Sequence, residues 1–290
     1  ILEQHNPTLE RPPASVTKAI TSLYAGAKLG TDYRFETTVA ANGPIVDGRV
    51  QGDLFLIGGG DPHLDSDSLA ELAQSLAAAG VRGISGRFYV VDSALPQIRQ
   101  IDDSQPVQVG YNPSISGLNL NFNRVYFEWK KASGQYNVTM DARAAGHRPA
   151  VNTSVMQIVN RGAPTYAFQQ DGPTERWSVA RGALGDGGGR WLPVRDSGAY
   201  AGAVFRSLAS SYGVSLPVVE RRSGAGGASV IARQLSRPLR EIQRSMLYFS
   251  TNMTAEVLGL RATQVNNNVS NLRASGRHMG RWAKQQMGSG

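Results

Sequence analysis

Helical periodicity at both ends of this chain, with strand-like alternation through the stretch between, rules out a simple helical bundle and a simple sheet. Near the start, Val16, Ala19, Ile20, Leu23, Tyr24 and Ala27 recur at spacings of three and four. That pattern predicts a core helix with a wide apolar stripe, running to about Lys28. Near the end, Leu235, Leu239, Ile242, Met246 and Phe249 form one stripe, and Met253, Val257 and Leu260 begin another. Between lie Tyr33-Arg-Phe-Glu-Thr-Thr-Val39, Gly48-Arg-Val-Gln-Gly-Asp-Leu-Phe-Leu-Ile57 and Gly86-Arg-Phe-Tyr-Val-Val-Asp92, each read as a strand. A helix is expected over Ser68–Ala79, closed by Gly80, and another over Ala199–Tyr212, stopped at Gly213. Residues 93 to 195 read as β-rich, with strands at Arg124–Trp129 and Tyr136–Met140. Gly58-Gly-Gly-Asp-Pro62 and Gly185-Asp-Gly-Gly-Gly189 read as turns, and Asn266–Asn271 and the glycine-bearing end as loop.

Each terminal helical region carries a motif with chemical potential. Ser15 follows Arg11-Pro-Pro-Ala, and prolines cannot lie inside a helix, so an extended approach ends where the helix begins. Ser15 and Lys18 are then neighbours on one face of the first turn, where orphan N–H groups favour developing negative charge. Lys18 lies among Ala14, Val16, Ala19 and Ile20, and desolvation lowers a lysine's pKa toward that of a useful base. The bland reading is a serine cap with a solvated lysine one turn on. Ser250-Thr-Asn252 falls between the two late stripes, where a tight turn can push a hydroxyl and a carboxamide into a cleft. Here too a cap at Ser250 or Asn252, with Glu256 in the first turn, competes with the functional reading.

Composition removes several classes. Cysteine is absent, which excludes disulfides, thiolate metal sites and a cysteine nucleophile while choosing no compartment. His5, His63, His147 and His278 show no metal-ligand spacing, so neither a metal nor another cofactor is expected. No run of about 18 apolar residues is present, which leaves at most peripheral membrane association. The formal charge of +8 raises nucleic acid as a partner. The arginines are nevertheless scattered, with Arg221-Arg222 the one adjacent pair, and no basic run is interleaved with aromatics. No nucleic-acid partner is expected.

Arg11-Pro-Pro-Ala-Ser-Val-Thr-Lys18 and Tyr248-Phe-Ser-Thr-Asn-Met-Thr-Ala-Glu256 resemble the class C low-molecular-mass penicillin-binding proteins, the D-alanyl-D-alanine carboxypeptidase/endopeptidases of the bacterial cell wall. Gly58-Gly-Gly-Asp-Pro62 and Ser116-Gly-Leu-Asn-Leu-Asn-Phe-Asn123 extend the likeness into the long interval between the two motifs. The resemblance implies an α/β, multidomain architecture: a penicillin-binding/β-lactamase-like transpeptidase domain formed by residues 1–34 and 196–290, with β-rich inserted material at 35–195. It also implies a serine-type peptidase of peptidoglycan stem peptides, open to β-lactam antibiotics and exported to the periplasm after loss of a signal peptide. Ser15 would be the nucleophile, Lys18 its base, Ser250 a proton relay and Asn252 a substrate-binding arm. An acid in the insertion would recognise the stem peptide, and Asp102 and Asp103 lie near that region without aligning cleanly.

One departure stands out. The superfamily's third motif, Lys-Thr-Gly, is nowhere in the 290 residues. Since relatives carry it well beyond Ser-x-Asn, and Ile1-Leu-Glu-Gln-His5 reads as the middle of a strand, the sequence is expected to be incomplete at both ends. The rival expectation is a non-catalytic, wall-binding or structural module that keeps the fold without the chemistry.

Overall fold

The structure, a computed structural model, describes residues 13–288. The extended approach through Arg11 and Pro12 and the strand expected at Ile1–His5 lie outside the described residues. A 3-10 turn at Ala14–Val16 leads into α1 (Thr17–Leu29). There follow β1 (Glu36–Ala41), β2 (Ile45–Val46), β3 (Arg49–Val50), β4 (Leu54–Gly58), α2 (Ser66–Ala78), β5 (Gly83–Ile84) and β6 (Phe88–Val91). The middle of the chain forms β7 (Arg124–Ala132), β8 (Gln135–Asp141), β9 (Ser154–Val159), β10 (Tyr166–Asp171), β11 (Thr174–Ala180) and β12 (Gly187–Pro193). The last part comprises α3 (Ser197–Ser211), β13 (Val219–Arg221), β14 (Ser229–Leu235), α4 (Leu239–Phe249), α5 (Asn252–Gln264) and α6 (Leu272–Met287).

Two hydrophobic cores organise these elements. The larger lies under a five-stranded sheet of order β13-β6-β4-β1-β14, parallel across β13, β6 and β4 and antiparallel across β4, β1 and β14. Leu54, Phe55 and Leu56 of β4 are fully buried, the unbroken apolar run of a strand covered on both faces. Helices α2 and α3 lie together on this sheet through Leu69, Leu72, Leu76, Val204, Phe205 and Leu208. Asp65 caps α2 and Asp196 caps α3, each carboxylate accepting a first-turn backbone N–H. The same core continues into the three-stranded sheets β12-β7-β8 and β10-β11-β9, where Phe127 and Trp177 are buried. Strands from 36–91 and from 219–235 share one sheet, so residues 196–235 pack with the segment expected as an insertion.

The smaller core is helical. Helices α1, α4, α5 and α6 enclose Tyr24, Ile242, Met246 and Leu258, and the Tyr24 and Trp282 rings meet at 5.2 Å between centroids. Leu95 and Ile115, from the connection after β6, plug into this core and tie the two together.

Several local expectations are corrected. The apolar stripe expected for α1 faces the core only in part: Tyr24 is buried, but Val16 and Leu23 are 75% and 64% exposed. The buried face is Lys18, Thr21, Tyr24 and Ala25, because α5 and α6 pack there. Likewise Leu235 and Phe249 are exposed, while Leu239, Ile242 and Met246 are buried. The expected single strand Gly48–Ile57 is broken into β3 and β4, with Asn42 reaching across to accept the Asp53 N–H at 2.7 Å. Gly185–Gly189 is not simply a turn. Gly187–Gly189 begin β12, and a side chain at Gly188 would come within 2.6 Å of the Trp129 ring. The end of the chain, read as loop, forms α6, capped by Asn271 and packed through Met279 and Trp282. At Gly58–Pro62 the expected turn is present: Gly60 has a φ of +90°, and buried Asp61 accepts the His63 N–H at 2.9 Å.

Candidate active site

The two motifs, at opposite ends of the chain, meet where α1 packs on α5. Ser15 sits on the 3-10 turn that precedes α1, fastened by Val16 N–H to Pro13 O at 3.1 Å and Thr17 Oγ1 to Ala14 O at 2.9 Å. Its hydroxyl is on the solvent side, and Lys18 behind it is only 9% exposed. Lys18 Nζ donates to Ser15 Oγ at 3.1 Å and to Asn252 Oδ1 at 2.8 Å. The amide nitrogen of Asn252 donates in turn to Tyr111 O at 3.4 Å.

These contacts set aside the capping reading of each motif. Ser15 caps nothing: the cap positions before the 3-10 turn and before α1 are Pro13 and Val16. Thr251 occupies the cap position of α5 and makes no side-chain cap bond, while Asn252 spends its carboxamide on Lys18 and Tyr111. Between α4 and α5, Ser250 adopts a left-handed conformation, φ 54° and ψ 41°, uncommon for a residue with a side chain. That turn starts α5 with Asn252 aimed at α1. No hydrogen bond joins Ser250 to Ser15 or Lys18 among the described residues; its hydroxyl is exposed.

Two hollows flank Asn252. One of about 150 Å³ is lined by Ser250, Asn252, Tyr111, Phe122 and Arg124. The other, about 260 Å³, lies behind Lys18 and is lined by Thr21, Asn252, Glu256 and Ser275. Burial pulls the Lys18 amine below the ordinary lysine range, and the negative charge of Glu256 opposes that pull. Burial pushes the Glu256 carboxyl up, and Lys18 partly offsets it. A lysine moved toward neutrality beside a serine hydroxyl is arranged to accept that proton.

Glu256 and Tyr111 were not among the expected site residues. Glu256 was legible in principle: it lies one helical turn after Asn252, hence on the same face. Tyr111 contributes a backbone carbonyl, which no side-chain pattern reveals. Asp102 and Asp103 line neither hollow; Asp102 accepts from Ser104 and Gln105, and Asp103 accepts from Gln100. The Ser116–Asn123 segment is a buried scaffold: Asn119 Oδ1 accepts from Ser116 N–H at 3.1 Å and from Asn123 Nδ2 at 2.9 Å. It delivers Phe122 and Arg124 to the hollow beside Ser250.

The position of Glu256 sets an expected pH effect. Its negative charge raises the Lys18 pKa, so Glu256→Gln should lower it. A lower Lys18 pKa leaves more of the amine neutral at a given pH, so the acid limb of a pH–rate profile for reaction at Ser15 should move to lower pH. Stopped-flow acylation across pH checks this; a limb that stays put or moves up shows that Glu256 does not act on Lys18.

Comparison with known proteins follows the same lines. The chain is 30% identical over 269 residues to the D-alanyl-D-alanine carboxypeptidase of an Actinomadura species, covering 85% of this chain and 48% of that protein. It is 31% identical over 95 residues to the D-alanyl-D-alanine carboxypeptidase DacB of Haemophilus influenzae, covering 33% of this chain and 20% of that one. The chain thus spans about half or less of these relatives' lengths. The crystal structure of penicillin-binding protein 4 (dacB) from Haemophilus influenzae superposes with a TM-score of 0.78 at 21% identity, over 99% of this chain and 65% of that one. The same protein complexed with a novel β-lactam gives a TM-score of 0.68 at 21% identity, over 92% and 61% of the two chains. This likeness establishes the fold: a penicillin-binding domain with inserted β-rich material. With the model of the D-Ala-D-Ala carboxypeptidase 3 (S13) family matching residues 1–280, the chain belongs to that family.

Proposed function

We propose that this chain carries the nucleophile, base and substrate arm of a serine-type D-alanyl-D-alanine carboxypeptidase/endopeptidase that cleaves peptidoglycan stem peptides and is acylated by β-lactams. The observation that carries this reading is a single amine, Lys18 Nζ, held 3.1 Å from Ser15 Oγ and 2.8 Å from Asn252 Oδ1. Ser15 Oγ attacks the carbonyl carbon of the penultimate D-alanine as its proton passes to neutral Lys18. The tetrahedral oxyanion then collapses with cleavage of the C–N bond, and the leaving amine takes a proton by way of Lys18 and Ser250. Water hydrolyses the ester left on Ser15 and releases the shortened peptide. The Ser15 N–H, at the start of the helical segment, supplies one oxyanion donor. Asn252 holds Lys18 and offers its second amide N–H to the substrate's peptide group. Export to the periplasm, with at most peripheral contact with a membrane, accords with this substrate, and among the described residues no helix is long and apolar enough to cross a bilayer.

Release of D-alanine from a pentapeptide ending in D-alanyl-D-alanine tests the reading in the natural protein that contains this chain. Turnover is expected for the parent and none above background for Ser15→Ala, with an unchanged melting temperature because Ser15 is exposed. A folded parent that releases no D-alanine would favour the non-catalytic wall-binding module instead.

A further inference from the structure

Away from Ser15, a polar cavity of about 320 Å³ opens where the end of the five-stranded sheet meets the β10–β11 turn. It shares no lining residue with either hollow at Asn252. Its wall is unusually rich in charge: Asp92 after β6, Arg195 and Asp196 before α3, Arg221 at the end of β13, and Arg99. Ser114 completes it, 2% exposed, with a hydroxyl that has no hydrogen-bond partner among the described residues. The backbone of Ser114 is fully used, its N–H by Val194 O at 3.0 Å and its carbonyl by Asn123 Nδ2 at 2.8 Å. A buried hydroxyl left unpaired is costly, so a bound molecule that pairs with it is favoured.

The charges are not evenly mixed. At one end, Arg221 is shared by two acids, contacting Asp196 and standing 3.2 Å from Asp92 Oδ2. Asp92 is 1% exposed, accepts from Gln97 at 2.9 Å through Oδ1, and has no aligned hydrogen bond to Oδ2. Two carboxylates on one guanidinium leave that end net negative. At the other end, Arg195 is 6% exposed and donates to the carbonyls of Asn112 and Val107 at 2.6 and 2.8 Å, with no carboxylate in ion-pair reach among the described residues. The carboxylate behind it, Glu175, is occupied by the N–H groups of Arg195 and Asp196 at 2.7 and 2.9 Å. Arg99, at the mouth, has no acidic partner among the described residues and lies 5.9 Å from the Phe168 ring centroid. That end is net positive.

We propose that this cavity binds a free α-amino acid as its zwitterion, carboxylate toward Arg99, Arg195 and Ser114, ammonium toward Asp92 and Asp196. A cavity at the small end of the usual range for ligand sites, about 300–1,000 Å³, suits an amino acid rather than a peptide. Neither a simple anion nor a simple cation satisfies both ends. The cavity stands apart from Ser15, although D-alanine is an amino acid of this class.

Calorimetric titration of the natural protein that contains this chain, with D-alanine and with glycine, tests it, using acetate and methylammonium as half-ligands. Saturable binding of an amino acid in the millimolar range is expected, with each half-ligand weaker by at least about tenfold. Arg99→Gln, at an exposed position that leaves the fold intact, should weaken amino-acid binding about tenfold. Lys18→Ala should leave it unchanged. Absence of saturable binding, equal affinity for acetate, indifference to Arg99→Gln, or loss of binding in Lys18→Ala would each overturn the proposal.

Discussion

Lys18→Ala is expected to slow acylation of Ser15 by benzylpenicillin by about 100- to 10,000-fold, the usual range for removing a positioned general base. The amine lies 3.1 Å from the serine oxygen, and among the described residues no other side chain is hydrogen-bonded to Ser15, so no second base is in place to take the proton. Its removal should be mild for the fold. Burial works against the charged amine, and the alanine leaves open the hollow that already exists behind it. Single-turnover acylation and a urea melt, made on the same preparation, separate the two effects. A rate loss that merely tracks the loss of stability would make Lys18 a packing residue.

Leu258→Ala is expected to destabilise the helical core by about 2–5 kcal/mol, the cost of removing a buried leucine side chain and leaving a cavity. Leu258 is fully buried on α5, the helix whose first residue is Asn252. Because the five-stranded sheet has a core of its own, joined to the helices through Leu95 and Ile115, the loss should fall first on the half of the molecule that holds Ser15 and Lys18. Hydrogen exchange resolves this: amides of α1, α4 and α5 should lose protection while those of β4 and β6 keep theirs. Uniform loss across both cores would mean that the molecule unfolds as one unit.

What could be read in advance follows from how local the signals are. The helices around Ser250 were legible because Leu239, Ile242 and Met246 report one face at helical spacing, and that face is buried. Ser15 and Lys18 were legible as a pair because a three-residue spacing makes helix neighbours. Their closeness to Asn252 is a tertiary fact that no local pattern contains. The orientation of α1 was misread for a physical reason: its buried face carries Lys18 and Thr21, polar groups that serve the site, while Val16 and Leu23 point outward. Of the hydrophobic pattern, Tyr24 marks the true interface, and most of the rest points outward because polar groups of the site take its place inside. Helix α6 was missed because its apolar contacts, Met279 and Trp282, are sparse among arginines and glycines. The strand at Gly187–Gly189 was missed because glycine signals a turn, whereas here it makes room for Tyr126 and Trp129.

The central claim is that Ser15 is the nucleophile, and the most direct measurement is mass spectrometry after incubation of the natural protein with benzylpenicillin. A penicilloyl adduct should appear on the peptide containing Ser15, and it should vanish in Ser15→Ala. No adduct on folded protein, or an adduct carried by Ser250 or any other residue while the Ser15 peptide stays unmodified, would contradict the assignment.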